Sequence, residues 1–290
     1  MRLSPCHTRG LAFALLAIAI ALGGNFASAT EDTRTGLAAS LLKKAQTPDA
    51  IAAWRTMLLA PGALPDCGCG PEGQDKMDAA WRTAVDTTFD APAVLAKMQQ
   101  VFANAFSVEE LTQMLAFRDS PLGRRVSALE SAQSTLPGGE ERILAEIGAM
   151  RSELSRNPAR RRLLEDITIA LGGVDAQVDV LLNVSLGTAI GVGAATPDGR
   201  GRLTQEEIIA KVEAKRADLR KLLAPMVLYN NASIYKSLRI DELRKYHHVL
   251  ASELGRKSSR VVAAAFSEVL RDQALAIGVR FAKELDALQL

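Results

Sequence analysis

The stretch Phe106–Arg125, FSVEELTQMLAFRDSPLGRR, most constrains what this chain can fold into. Ser107 and Glu110 have the Ser-x-x-Glu spacing of a capping box. The serine oxygen accepts from the Glu110 amide, and the glutamate reaches back to the Ser107 amide. Val108, Leu111 and Leu115 then recur at helical spacing with Met114 beside them, which makes one face apolar. Ser120-Pro121 ends that helix and starts another. A residue before proline is pushed out of the helical region, while proline itself suits the first helical position. Gly123 falls in the new first turn, where glycine costs about 1 kcal/mol of helix propensity relative to alanine. Close approach of another backbone is the expected reason for it.

A second stretch repeats this pattern at an offset of 132 residues (243 − 111). Glu110, Leu111, Ser120, Leu122, Gly123 and Arg124 align without gaps on Glu242, Leu243, Ser252, Leu254, Gly255 and Arg256. Val108/Ile240, Glu109/Asp241 and Arg125/Lys257 are conservative pairs. The match points to an internal duplication. Arg239 replaces the capping Ser107, and Glu253 replaces Pro121. The second stretch is therefore predicted to lack the capping box and to run as one continuous helix through Gly255.

Glu110-Leu111, an apolar run, the aromatic Phe117, and Ser120-Pro121-Leu122-Gly123 followed by Arg124-Arg125 resemble the signature of the bacterial family called domain of unknown function 2059. Phe117-Arg118 stands where that family usually has Phe-Tyr, and an arginine where it usually has lysine. The resemblance is confined to this short stretch. It implies an exported helical domain and no particular activity.

The N-terminus carries Arg2 and Arg9, the apolar run Leu11–Leu22, and Ala27-Ser28-Ala29. These are the three regions of a secretory signal with cleavage after Ala29. The apolar run is too short for a stable membrane span. Cys6 precedes that run, so it is no lipid-attachment site. Taking Arg2 and Arg9 from the 35 basic residues leaves 33, against 33 acidic ones (35 − 2 = 33). A neutral mature chain argues against a nucleic-acid partner and against strong attraction to anionic lipid. The expected location is the periplasm, or outside the cell in an organism without one.

Few aromatics and many alanines and leucines favour helices over strands. Helix starts are read at Thr47-Pro48, Asp90 with Pro92, Asn157-Pro158 and the Thr204/Glu207 capping box. Helices are expected over Gln205–Leu223 and Pro225–Ser237, split at the proline, and over Ile240 to about Leu285. The fold class is all-α, an irregular helical bundle of two related halves. Residues 1–29 form the cleaved signal, 30–196 an N-terminal helical domain with the motif, and 203–290 a C-terminal domain with its degenerate copy. Pro197–Arg202 is the linker.

Candidate chemistry is sparse. Cys67 and Cys69 are the only cysteines after the signal, and a disulfide is expected in an oxidising compartment. A redox bridge or a soft-metal site stands as the sharper alternative. The only mature histidines, His247 and His248, are adjacent, so a helix points them about 100° apart and they do not readily share an ion. No Gly-x-Ser-x-Gly or His-Glu-x-x-His pattern occurs. Thr196–Glu207 has the outline of a calcium loop, but Thr196 and Arg200 stand where acids or amides belong. Val178–Ala195 is strongly apolar yet carries Asp179 and Asn183, which reads as a buried helix rather than a membrane span. Its Gly187, Gly191 and Gly193 would admit a neighbouring helix or a small apolar ligand. Arg160, Arg161, Arg162, Lys211, Lys215, Arg216, Arg220 and Lys221 read as a solvated basic face.

These readings favour a non-enzymatic binding or interaction protein of the cell envelope, with no catalytic residue, metal or cofactor. Its partner would be an envelope protein or a small apolar ligand. The partner-binding candidates are Glu110, Phe117, Ser120, Gly123 and Arg125. Two alternatives remain: a carrier of a small apolar ligand between helices, and a redox or metal-handling protein using Cys67 and Cys69. Export makes a direct prediction. N-terminal sequencing of the exported protein should read Thr30 first, and a product that keeps Met1 in the cytosolic fraction would refute it.

Overall fold

The computed structural model describes residues 31–60, 63–64, 68–134, 140–195 and 203–287. Among these there are helices and no strands. In chain order they are α1 (Glu31–Lys44), α2 (Thr47–Leu58), α3 (Gly70–Thr88), α4 (Ala91–Ala105), α5 (Val108–Asp119), α6 (Pro121–Ser134), α7 (Glu140–Arg156), α8 (Pro158–Ala170), α9 (Gly173–Ala195), α10 (Gln205–Glu213), α11 (Arg216–Ile234), α12 (Ile240–Leu250) and α13 (Glu253–Ala287). The protein is an all-α helical bundle. The expected signal and linker lie outside the described residues.

Local chemistry starts the helices where the sequence places them. Asp90 Oδ1 accepts from the Ala93 amide at 2.9 Å, and Asn157 Oδ1 accepts from the Arg160 amide at 3.1 Å. Both capping boxes form in full, Ser107 with Glu110 and Thr204 with Glu207. Gly172 and Gly173 take positive φ values, 97° and 62°, at the turn from α8 to α9. Such a conformation costs glycine nothing sterically.

Two boundaries differ from expectation. Pro225 does not split a helix but lies inside α11, and the break falls between α10 and α11. Proline removes one ladder bond and crowds the carbonyl four residues back. That carbonyl belongs to Lys221, which is exposed, so water can take up the freed acceptor. Packing then decides: Leu223 and Val227, on either side of Pro225, are buried together against Val178 and Leu182 of α9. The second difference is at Gly255. The helix is not continuous there; α12 ends at Leu250 and α13 begins at Glu253. Ser252 Oγ accepts from the Gly255 amide at 3.0 Å, as Ser120 Oγ accepts from the Gly123 amide at 3.0 Å. The serine cap makes the break without the proline. The capping box is also half retained. Arginine has no acceptor, but the Glu242 carboxylate still accepts from the Arg239 amide at 2.8 Å.

Each hairpin closes on its glycine. A Cβ on Gly123 would lie 1.9 Å from the Phe117 carbonyl oxygen, and one on Gly255 would lie 2.4 Å from that of Val249. Phe117 and Val249 are again 132 residues apart (249 − 117). The two stretches also exchange ion pairs. Arg125 Nη1 donates to Glu242 Oε1 at 2.8 Å, and Lys257 Nζ donates to Glu110 Oε1 at 2.6 Å. Each basic residue thus meets the glutamate of the other stretch's capping box.

The long α13 is the axis of the bundle. α9 lies along it, with α3 and α4 on another side. Backbone contact replaces side-chain packing at that crossing. A Cβ on Gly187 would lie 2.4 Å from the Arg271 oxygen, one on Gly191 2.2 Å from the Leu275 oxygen, and one on Gly278 2.4 Å from the Thr188 oxygen. Gly193, in contrast, has room. By length and composition α9 is the only described helix able to cross a membrane, and here it packs against α10, α11 and α13. One core runs from Leu41 and Leu42 of α1, through Leu111 and Met114 of α5, to Leu243 of α12 and Ile277 of α13. Each such buried side chain contributes about 1.5–3 kcal/mol. Helices from both sides of the expected linker share it.

Glycine substitutions check the hairpin. Gly123→Ala should lower stability by about 1–3 kcal/mol through overpacking, with no slack on the backbone side. Gly148→Ala, at an exposed and uncrowded position of α7, should raise it by about 0.4–1 kcal/mol. Urea denaturation midpoints opposite in sign would establish this, and equal effects would refute it.

Candidate functional site

The five motif residues singled out by sequence all have partners within the chain. Glu110 completes its cap and pairs with Lys257. Phe117 is buried and stacks on Tyr246, ring centroids 6.3 Å apart at 7°. Ser120 caps Gly123, and Gly123 seats the Phe117 carbonyl. Arg125 bonds Glu242 and the Ser237 carbonyl, both at 2.8 Å. The structure brings these residues together, and turns them on the second stretch rather than outward.

Behind them lies a buried polar cluster that sequence reading missed. Arg118 and Glu130 are each 3% exposed and form an ion pair at 3.3 Å. Arg118 Nη1 also donates to Ser127 Oγ at 2.7 Å. Glu130 Oε1 accepts from both Tyr235 Oη at 2.9 Å and Tyr246 Oη at 3.0 Å. Arg118 Nε and Nη2 are buried without a partner among the described residues, at a cost of about 1–3 kcal/mol for such a group. Burial, followed by the Glu130 charge, pushes both tyrosines well above their ordinary pKa of 10.0. Perturbed groups of this kind often mark active sites. Here all four residues are buried, and none of them lines the cleft at α13 or the smaller pocket beside Trp81. Its chemistry is that of a core polar network joining α5, α6 and α12. Its one trace in the sequence is the position of Arg118, seven residues after Leu111 and four after Met114, on the apolar face of the motif helix.

The open cavity is elsewhere. A cleft of about 700 Å³ lies between the α8–α9 turn and the start of α13. Asp166, Asp175, Asp179 and Asn183 line one side. Arg256, Arg260 and Ser267 line the other, and His247 lies on α12. Ala170, Ala176, Ala251, Ala263 and Ala264 make it roomy, and Ile169 lines it although 72% exposed. Asp175 and Asp179 are matched by Arg220 and Arg216 of α11. Asp166 and Arg260 make no ion pair or side-chain hydrogen bond among the described residues. The cleft reaches the expected apolar segment only at Asp179 and Asn183, and its mainly apolar lining also carries the charged side chains of Asp166, Asp175, Asp179, Arg256 and Arg260. Nothing in the spacing of these residues along the chain announces it, because α8, α9 and α13 meet only in the tertiary fold.

Other expectations resolve as follows. Cys69 is disulfide-bonded, and Cys67 lies outside the described residues. His247 is half-buried in the cleft and His248 is exposed; neither imidazole has a hydrogen bond among the described residues. No group of three His, Cys, Asp or Glu residues able to hold a metal occurs among the described residues. The first half of the calcium-loop outline falls outside them, while Thr204 and Glu207 form the cap. Arg160 is a correction to the basic face. It is buried, and donates to the carbonyls of Tyr235, Lys236 and Leu238 at 2.8, 3.0 and 2.8 Å. A cation there satisfies the acceptors left open beyond the C-terminus of α11. Compared with protein-family models, with curated proteins and with solved structures, the chain shows no match.

The tyrosines give a pH prediction. Their folded pKa values are raised, so above pH 10 the unfolded chain releases protons that the folded chain keeps. Stability is complete below 10 and falls as pH rises towards the folded values, by at most about 1.4 kcal/mol per pH unit for each tyrosine. Urea denaturation at pH 9, 10 and 11 should show a steeper loss in the native chain than in the Tyr235→Phe, Tyr246→Phe double variant. Parallel slopes would refute it.

Proposed function

We propose that this is an exported, non-enzymatic binding protein of the cell envelope, and that its ligand occupies the cleft between the α8–α9 turn and α13. The cleft itself carries the reading. At about 700 Å³ it falls within the size range of small-molecule sites, and it holds charged groups that the fold leaves unused. Two further observations support it. The motif residues already have intramolecular partners, which directs attention away from them as a docking face. The disulfide at Cys69 agrees with an oxidising compartment, as the N-terminal signal pattern does.

The carrier reading survives in altered form. Asp179 and Asn183 put the start of the apolar segment in the cleft wall, but the wall is charged as well as apolar. A wholly apolar guest would bury those charges without partners, at a cost.

The test is to fill the cleft. Native mass spectrometry of protein purified from its own envelope fraction should show a bound small molecule. Ala263→Trp should lose that species while keeping the melting temperature within a few degrees, because this position is only partly buried. An unliganded native protein, or a ligand retained by the variant, would overturn the proposal.

A further inference from the structure

The free charges of the cleft define what it can hold. Arg256 and Arg260 are four residues apart on α13, so they project from the same helix face. Arg256 spends Nη1 on the Ala251 carbonyl, and its other donors remain. Arg260 makes no ion pair or side-chain hydrogen bond among the described residues. Across the cleft Asp166 likewise makes none among the described residues, so the two are not paired with each other. Asp175 and Asp179 are already neutralised from α11. The unmatched charge is therefore cationic on the α13 wall and anionic at the end of α8, with no ion pair between them among the described residues.

The lining also offers apolar groups and one side-chain amide, Asn183. Ile169 and the alanines offer aliphatic contact. Asn183 Nδ2 donates to Ser267 Oγ at 2.6 Å, which leaves the Asn183 carbonyl oxygen free to accept. A purely anionic amphipath would face Asp166 unfavourably, and a cation would face the two arginines. A single amino acid would fill only a small part of a cleft of about 700 Å³. A short peptide fills more of it, and its carboxylate, ammonium, amides and aliphatic side chains each have a counterpart in the lining.

We infer that the cleft binds a short aliphatic peptide with free ends, its carboxylate on Arg256 and Arg260 and its ammonium on Asp166. This rests on the cleft being the ligand site. Arginine suits the first role because its planar fork matches a carboxylate.

The experiment is calorimetric titration of the full mature protein with a free-ended peptide of leucine and alanine, its C-amidated form and its N-acetylated form. Free-ended peptide should bind, and either blocked form should bind about tenfold more weakly, one lost charge pair being worth about 1.4 kcal/mol. Arg260→Glu should lose affinity for the free peptide by at least as much and become indifferent to C-amidation. Asp166→Asn should become indifferent to N-acetylation. Both residues are exposed, so both variants should fold. If amidation matters and acetylation does not, the ligand is a simple anion and the peptide assignment fails. If the free peptide does not bind while native protein still carries a guest lost in Ala263→Trp, the peptide assignment fails and the cleft reading stands. If no guest is found and no peptide binds, both fail.

Discussion

A glycine pressed against the carbonyl of the preceding helix is the contact on which this fold depends. At Gly123 and again at Gly255 the missing side chain lets one helix turn back on another within two residues. Any larger residue would push the second helix away, because the obstacle is backbone and cannot rotate aside. The serine before each glycine satisfies the opened amide, so the sharp turn leaves no buried donor there. With both hairpins set, Arg125 and Lys257 fall opposite the capping glutamates of the other stretch. The ion pairs are half exposed and individually weak. Their value is register: each holds a helix start whose own amide the same glutamate already bonds.

The same economy explains the charged core. Arg118 enters the interior because α5 packs into the hairpin turn, and Glu130 meets it from α6. A buried pair of this kind adds little stability over a well-packed apolar pair, but removing one partner is costly. Two tyrosine hydroxyls on Glu130 satisfy the remaining carboxylate oxygen and link α6 to the chain around α12. The network thus ties the two stretches together from inside as the ion pairs do from outside. Arg160 extends it by closing the end of α11. Its three bonds to main-chain oxygens make a nominally basic surface residue part of the framework.

The cleft follows from this framework. α13 is held at one end by the hairpin at Gly255 and along its length by the glycine crossing with α9. The α8–α9 turn, with two positive-φ glycines, lies beside the start of α13 with the cleft between them. Ser259 Oγ bonds the Ala170 carbonyl at 2.8 Å and fixes the width at one point.

Much of the architecture was legible in the sequence, for a local reason. Caps, prolines and apolar periodicity act within a few residues, so helix starts at Ser107, Asp90, Asn157 and Thr204 can be read directly, as can the need for close backbone approach at Gly123. The misreadings at Pro225 and Gly255 share one cause. Local breaking signals were weighed without the packing that decides whether a proline is carried or a serine suffices to turn the chain. The cleft was not legible at all. Asp166 and Arg260 are ordinary charged residues on exposed helix faces, and Arg160 looked like one more. Which of them is free, which is paired and which is buried depends on helices distant in sequence meeting side by side. The sequence by itself determined an all-helical chain with two similar stretches, the first of them broken at its Ser-Pro step. The tertiary structure alone decided that those stretches face each other and that a charged cleft opens beside them, because long-range juxtaposition leaves no periodic trace along a chain.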